Sequence, residues 1–223
     1  MNEDLDLVGK TRTYTKEDAI KKLDDLKDIL LFQQEEKKKE EYKAKEAGIP
    51  VRYRKYTFDS LKNLENDKEY KDSIKNCKDY CKKFDTYQEE GKGILFMGSP
   101  GRLKTTLACA VALELIKKKK ITPYFLSCAD LYDFRIREIK NAALVILDDL
   151  GIEYESDYAG TQLDQIIADS YNNNRIVFIT TNLSGDEMKK RYHERSLDRL
   201  REMTAFVEMT EGKSIRQRDI HKK

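Results

Sequence analysis

The sequence predicts an α/β fold, in which helices flank a parallel β-sheet and a helical N-terminal arm precedes it. From residue 93 onward, short apolar runs alternate with segments whose apolar residues recur at helical spacing. Apolar strands separated by helices are typical of parallel sheets, whose strands are buried on both faces. Polar residues directly follow several of these runs. Because ligands of such sheets bind at the carboxyl ends of the strands, we expect the functional site there.

The expected elements follow one another along the chain. Pro50 ends a first helix, and an extended basic and aromatic segment is expected around it, GIPVRYRKYTF. Residues 60–90 are expected to form a single helix with one apolar side. That side carries Ile74, Cys77, Tyr80, Cys81 and Phe84. The expected strands are GILFMG, TPYFLS, AALVILDDL, RIVFITTN and TAFVEM, with TTLACAVALELIKKKK and TQLDQIIADSYNNN as helices between them.

Residues 1–47 differ from the rest of the chain and predict a helical arm. Thr15 can cap a helix whose first turn contains Glu17 and Asp18. A charged stretch then continues to Gly48. The apolar residues of the arm recur at helical spacing, at Ile20, Leu23, Leu26, Ile29 and Leu30. Because the arm has too little apolar surface for its own core, it either packs on the main domain or offers a face to a partner.

The composition argues against several classes of protein. The 43 basic and 41 acidic residues nearly cancel, and a net charge of +2 creates no overall field that would attract nucleic acid, so such binding needs a local patch. No apolar run approaches the roughly 20 residues of a membrane span. The acidic start MNEDLDLVGK lacks the apolar core of a signal peptide. We therefore expect a cytoplasmic protein whose four cysteines are reduced thiols.

A near-match to a phosphate-binding loop lies between the first expected strand and the next helix. In GSPGRLKTT, Gly98, Lys104 and Thr105 fit the pattern G-x-x-x-x-G-K-[ST]. Backbone N–H groups form an anion site in such a loop, the lysine reaches the outer phosphates of ATP, and the Thr105 hydroxyl would bind Mg²⁺. Nucleotide contacts are expected from Gly98, Ser99, Pro100, Gly101, Arg102, Leu103, Lys104, Thr105 and Thr106.

Leu103 occupies the position where the pattern requires glycine. Glycine allows a backbone conformation that is poor for residues with a Cβ, so leucine should cost about 1–2 kcal/mol of strain there. Its side chain is also expected beside the path of the phosphates. Losing two amide contacts, at roughly 1.5–3 kcal/mol each, weakens ATP binding by orders of magnitude. We therefore expect weak or absent ATP binding, unless the charge of Arg102 compensates.

Two further elements carry polar residues at the ends of expected strands. Asp148 and Asp149 end ALVILDD, and Asn182 ends IVFITTN. We expect Asp148 to bind Mg²⁺, Asp149 to polarise the water that attacks the γ-phosphate, and Asn182 to orient that water. Because both elements and the loop lie at carboxyl ends of strands, together they indicate a nucleotide-binding ancestry.

Arginine-rich segments near the C-terminus offer a further catalytic group. A guanidinium can stabilise the charge that develops on the γ-phosphate, although a single arginine is more often a surface residue. HERSLDRLREM carries Arg195, Arg199 and Arg201, and GKSIRQRD carries Arg216 and Arg218.

With these residues assembled, the sequence resembles the AAA+ ATPases of the bacterial replicative-helicase loaders, of DnaC and DnaI type, and the related IstB transposition ATPases. The segments that carry the resemblance are GKGILFMGSPG, ILDDLGIEYES, ITTNLS, ERSLDRL and GKSIR. The resemblance implies a RecA-like core that forms a homo-oligomer with ATP at the subunit interfaces. By position, Asn182 corresponds to sensor 1 and Arg216 to the sensor 2 arginine. Arg199 corresponds to the arginine finger, with Arg195 as the second choice.

The resemblance also implies partners and domain boundaries. In the loaders an N-terminal segment grips the replicative helicase, a role that residues 1–47 fit in position, and the AAA+ part binds single-stranded DNA. Here the AAA+ domain is expected over residues 48–217, followed by a basic tail at 218–223. The connection over residues 132–140 is shorter than in that family, so DNA binding is left open, and the tail is an alternative contact.

The resulting prediction is a helicase-loader-like AAA+ protein of DNA replication that binds ATP with Mg²⁺ and hydrolyses it to ADP and phosphate. Hydrolysis is expected only if the loop with Leu103 still binds nucleotide. Two alternatives remain open. One is an adaptor that binds a helicase or a loader without nucleotide turnover, and the other is a transposition ATPase that acts on duplex DNA.

Overall fold

A computed structural model describes residues 15–153 and 157–209 of the chain. The chain divides between Glu41 and Tyr42 into two compact units. This division falls inside the first helix, α1 (Lys16–Glu46), so the last turn of that helix belongs to the second unit. This division between the two units therefore lies before the domain boundary that was expected at residue 47.

The first unit consists, in its described part, of α1 up to the division. Thr15 caps the helix as expected, because its Oγ1 accepts a hydrogen bond from the Asp18 N–H over 3.2 Å. Seven large apolar side chains of this helix are 52–65% exposed: Ile20, Leu23, Leu26, Ile29, Leu30, Leu31 and Phe32. The prediction of a helical arm is confirmed, while its role stays a prediction. Among the described residues, no helix is both long and apolar enough to cross a membrane.

The second unit contains a single five-stranded parallel sheet in the order β2-β3-β4-β1-β5. Its strands are β1 (Gly93–Met97), β2 (Pro123–Ser127), β3 (Leu144–Leu150), β4 (Ile176–Thr181) and β5 (Thr204–Glu208). Each strand lies within an apolar run that was expected to form one, so the predicted fold class is confirmed. Alternating residues supply two apolar clusters on opposite faces, with Phe96 and Phe178 in one and Leu147 and Ile179 in the other.

Helices connect the strands and cover the sheet. The connecting helices are α5 (Lys104–Lys119) after β1, α6 (Asp157–Asn172) after β3, and α7 (Gly185–Arg191) and α8 (Glu194–Met203) between β4 and β5. The connection from β2 to β3 contains two 3₁₀ turns, Cys128–Asp130 and Ile136–Ile139. The apolar face of α5 is buried, at Leu107, Ala108, Val111, Leu115 and Ile116. The four cysteines are buried free thiols, as expected.

The segment behind Pro50 is helical, and the expectation of an extended segment was wrong. Helix α2 (Val51–Arg54) begins directly after the proline, whose carbonyl oxygen accepts from the Tyr53 N–H over 2.8 Å. Proline suits the start of a helix because the N–H group that it lacks would have no intrahelical partner there. The same residue therefore separates α1 from a second helix.

Residues 60–90 form two helices, whereas one was expected. The helices are α3 (Lys71–Lys82) and α4 (Phe84–Glu89), and a 3₁₀ turn at Lys62–Leu64 precedes them. Before α3, Asp67 Oδ1 accepts from the Glu69 N–H over 2.9 Å, and such local side-chain bonds compete with helical pairing. The predicted apolar side is nevertheless buried, at Ile74, Cys77, Tyr80, Cys81 and Phe84.

Candidate functional site

The carboxyl ends of β3, β4 and β1 lie side by side, because these strands are neighbours in the sheet. The loop after β1 therefore meets the aspartates of β3 and the asparagine after β4. A chain of hydrogen bonds connects them, from Lys104 to Asn182 and from Asn182 to Asp149. The structure thus brings together the three elements that were expected to meet, while the function of each residue stays a prediction.

The loop between β1 and α5 begins at Gly98, a position that only glycine fits. Its φ angle is 149°, and a Cβ atom there would lie 2.3 Å from the carbonyl oxygen of Met209. The Gly98 N–H donates to the carbonyl oxygen of Thr181 over 3.2 Å, which attaches the loop to β4. Ser99, Pro100 and Gly101 continue the loop, and α5 begins at Lys104, so Thr105 and Thr106 lie in its first turn.

Leu103 has the left-handed backbone conformation expected at this position, with φ of 63° immediately before α5. Its side chain is only 6% exposed and belongs to the apolar cluster that contains Leu107 and Phe96. This side chain was expected beside the path of the phosphates instead. Burying a leucine side chain contributes about 1.5–3 kcal/mol, which offsets the backbone strain of about 1–2 kcal/mol. Packing therefore stabilises a residue that the backbone alone disfavours.

Arg102 is turned into the protein and is 2% exposed. Its Nη1 lies 3.1 Å from Glu69 Oε2, and its guanidinium carbon lies 5.1 Å from the centre of the Tyr70 ring. Breaking a buried ion pair leaves a charge without compensation, which is strongly destabilising. Arg102 could therefore compensate with its charge at a phosphate only after this contact with Glu69 opens.

Lys104 is buried and folds back over the loop. Its Nζ donates to the carbonyl oxygens of Gly98 and Ser99 over 2.7 and 2.9 Å, and to Asn182 Oδ1 over 2.7 Å. The Asn182 Nδ2 group in turn donates to Asp149 Oδ1 over 2.6 Å. The ammonium group thus occupies the middle of the loop, where a phosphate would compete with these oxygens for its hydrogen bonds.

Thr105 and Asp148 form a pair of oxygen donors beside Lys104. Burial raises the pKa of the Asp148 carboxyl above its ordinary value, and the hydrogen bond from Thr180, the nearby Thr105 hydroxyl and the charge of Lys104 only partly oppose this shift. No group of three or more His, Cys, Asp and Glu suited to a metal occurs within residues 15–153 and 157–209. Mg²⁺ does not need one, because it is usually held by one or two carboxylates together with substrate phosphates. The donor chemistry of Thr105 and Asp148 therefore fits this ion.

Sequence reasoning missed two residues of the site. The Tyr53 hydroxyl lies near Thr105 and Asp148, and burial together with the charge of Asp148 raises the pKa of Tyr53. The only sequence signal was its place near the start of the AAA+ domain expected over residues 48–217. Thr180 donates from Oγ1 to Asp148 Oδ1 over 2.7 Å. Its signal in the sequence was its position two residues before Asn182, because residues two apart in an extended strand point to the same face of the sheet.

The candidate arginine fingers both lie on α8. The guanidinium carbon of Arg199 lies 5.4 Å from the centre of the Tyr171 ring, whereas Arg195 is exposed. Arg201 contacts Glu194 Oε1 over 3.0 Å. Arg216 and Arg218 lie outside the described residues. Among the described residues, neither Arg195 nor Arg199 donates a hydrogen bond to the loop, so the assignment of a finger stays a prediction.

A comparison with protein families adds to this geometry. The model of the family described as IstB-like ATP binding protein matches residues 81–223, which is more than half of the chain. The matched range includes the loop after β1, both aspartates and Asn182.

Individual proteins are similar as well. The replicative helicase loader DnaC of Escherichia coli (strain K12) is 29% identical over 133 residues, which cover 52% of this chain and 54% of the loader. The chain thus spans about half the length of that relative. The crystal structure of the DnaC helicase loader has a TM-score of 0.64 and 27% identity, covering 71% of this chain and 99% of the other. The crystal structure of DnaI, with a TM-score of 0.62, 21% identity and coverage of 73% and 95%, is alike in fold.

Proposed function

The chain belongs to the IstB-like ATP-binding family of AAA+ ATPases, and on this premise we propose that it binds and hydrolyses ATP at the loop of residues 98–106 while engaging a replicative helicase. The observation that carries the proposal is the hydrogen-bonded chain from Lys104 through Asn182 to Asp149. It places a cation, an amide and a carboxylate at one edge of the sheet, next to the Thr105 and Asp148 pair.

Lys104 is the group that would bind the outer phosphates. A phosphate oxygen is a stronger acceptor than the carbonyl oxygens of Gly98 and Ser99, because the hydrogen bond is then between two charged groups. Lys104 would exchange these carbonyls and Asn182 Oδ1 for the phosphate. The exchange would release the Asn182 amide, which stays next to Asp149 and could orient a water molecule there.

Thr105 and Asp148 are the residues that would hold Mg²⁺. When bound, the ion neutralises charge that develops on the phosphates. Asp149 would accept a proton from the attacking water, and the arginine of a neighbouring subunit, Arg199 or Arg195, would stabilise the γ-phosphate. The oligomer that this arginine requires, and the sensor 2 role of Arg216, are part of the proposal.

Replacing Lys104 with alanine is expected to weaken ATP binding by about 10- to 100-fold, because a charge-assisted hydrogen bond contributes roughly 1.5–3 kcal/mol. Titration of the full chain with fluorescent ATP and Mg²⁺ measures the affinity. Lys117→Ala, an exposed lysine of the same helix, is the matched control and should bind as the wild type does. If the wild-type chain shows no saturable binding at millimolar ATP, the ATPase proposal is wrong and the nucleotide-independent adaptor takes its place.

Engagement of the helicase is assigned to the exposed apolar side chains of α1. An amphipathic helix commonly binds a partner through such residues, and the similar loader is named for its replicative helicase. Replacing Leu23, Leu26 and Leu30 together with glutamine removes apolar contacts and retains good helix formers. We expect the affinity for the replicative helicase of the same organism to fall at least tenfold, as measured by biolayer interferometry.

The control for this experiment replaces Lys21 and Lys38, two exposed residues of the same helix, with glutamine. Circular dichroism checks that both variants retain their helix content. Unchanged helicase binding by the triple leucine variant would contradict the assignment to α1. The transposition alternative has no observation in this structure that favours it.

A further inference from the structure

The pairing of β3 with β4 is interrupted at the two aspartates. Residues Leu144–Leu147 of β3 pair in register with β4, and the register then shifts between Leu147 and Leu150, where Leu150 pairs with Thr181. Asp148 and Asp149 lie in this interruption. Bulges of this kind change the direction of a strand and are frequent beside active sites.

Asp149 adopts a left-handed backbone conformation, with φ of 60°. Residues with a Cβ rarely adopt it, and such strained positions persist only where the surrounding structure holds them. The proposed function needs the Asp149 carboxylate beside the attacking water. In the structure its Oδ1 accepts from Asn182 Nδ2 over 2.6 Å. A group that holds this backbone therefore also sets the position of the carboxylate.

The Thr180 hydroxyl contacts both aspartates at once. It donates to Asp148 Oδ1 over 2.7 Å and accepts from the Asp149 N–H over 2.8 Å. Thr180 is 1% exposed, so water does not replace these contacts readily. Only a hydroxyl can donate to a carboxylate and accept from an amide with one atom, which restricts this role to serine and threonine on this strand.

We propose that Thr180 is a positioning residue for the hydrolysis of ATP, which holds the side chain of Asp148 and the left-handed backbone of Asp149 in their working geometry. This inference rests on the proposed function for its catalytic consequence. Asn182 lies two residues after Thr180, and its Nδ2 group donates to the Asp149 carboxylate. Thr180 and Asn182 together would therefore fix the backbone and the side chain of Asp149.

The neighbouring Thr181 provides a matched comparison. It is fully buried as well, and its hydroxyl also bonds to β3, at the carbonyl oxygen of Leu150 over 2.6 Å. It has no hydrogen bond with either aspartate among those of the described residues. Its Oγ1 also accepts from the Leu183 N–H over 3.1 Å. Replacing Thr181 with valine therefore removes two hydrogen bonds of a buried hydroxyl, one of them to β3, and none to the groups that Thr180 holds.

The test compares Thr180→Val, Thr180→Ser and Thr181→Val in the full chain. Valine has the shape of threonine and lacks the hydroxyl, so kcat for ATP hydrolysis should fall about 10- to 100-fold in Thr180→Val, as when the partner of a metal ligand is removed. Serine should restore most of the activity. The affinity for ATP in EDTA should be unchanged, whereas the additional affinity that Mg²⁺ provides should fall in Thr180→Val alone.

A second readout does not depend on ATP. Hydrogen exchange of the Asp149 amide, followed by NMR in the nucleotide-free chain, should accelerate about tenfold in Thr180→Val and remain slow in Thr180→Ser and Thr181→Val. Equal losses of kcat in Thr180→Val and Thr181→Val, or unchanged exchange of the Asp149 amide in Thr180→Val, would overturn the inference. A wild type that hydrolyses no ATP refutes the proposed function, and the exchange measurement then still decides whether Thr180 holds the backbone.

Discussion

Replacing Asp149 with asparagine is expected to reduce ATP hydrolysis by about 10²- to 10⁴-fold, the range that proton transfer by a positioned side chain contributes. ATP binding should remain close to that of the wild type. Asparagine has nearly the same shape and its Oδ1 can still accept from Asn182 Nδ2, which lies 2.6 Å away in the native chain. The substitution removes only the negative charge that would draw a proton from water.

Release of phosphate measured at saturating ATP and Mg²⁺, together with the ATP titration, separates these two effects. Asp186→Asn on α7 is the control, because it removes the charge of an exposed aspartate that pairs with Lys189 of the same helix. Turnover in Asp149→Asn near that of the wild type would show that another group activates the water. Loss of binding together with turnover would show that Asp149 supports the nucleotide site itself.

Replacing Leu103 with glycine is expected to change stability and ATP affinity in opposite directions. Removing a buried leucine side chain destabilises a protein by about 2–5 kcal/mol, and relief of the left-handed strain returns about 1–2 kcal/mol. The free energy of unfolding should therefore fall by about 2 kcal/mol, taking the middle of each range. ATP should bind at least about tenfold more tightly, since glycine lets the loop backbone approach the phosphates closely.

Chemical denaturation measures the first effect and fluorescent ATP the second. Leu115→Ala is the matched control: it removes a buried leucine side chain from the same apolar cluster, so it should lower stability and leave ATP affinity unchanged. Equally tight binding by the wild type and Leu103→Gly would show that the loop accommodates leucine. Binding by the glycine variant alone would identify the natural chain as a nucleotide-independent adaptor.

The conformation at Leu103 illustrates what the sequence could predict about the site. The spacing of Gly98, Lys104 and Thr105 identified the loop, and the missing glycine predicted a left-handed residue, which the structure confirms. The predicted position of the Leu103 side chain, beside the path of the phosphates, was wrong. The loop motif describes backbone positions, whereas the side chain is placed by helices and strands that pack around it.

Arg102 and Tyr53 likewise make contacts that the sequence could not predict. Arg102 contacts Glu69, which is 33 residues earlier in the chain, and the Tyr53 hydroxyl lies near Thr105 of a different helix. No local pattern connects such residues, since their contact depends on how α2 and the segment before α3 approach the loop. The start of α2 and the late start of α3 were likewise missed, because proline and local hydrogen bonds act within a few residues and permit more than one outcome.

The sequence by itself determined the five strands, the family and the residues at the carboxyl ends of β1, β3 and β4, because hydrophobic periodicity and motif spacing are local properties of the chain. Only the tertiary structure decided that Lys104, Asn182 and Asp149 form one hydrogen-bonded chain, and that Thr180 holds the interruption in β3. These contacts join residues more than 30 positions apart. They follow from the order and register of the strands, which the packing of the whole sheet establishes.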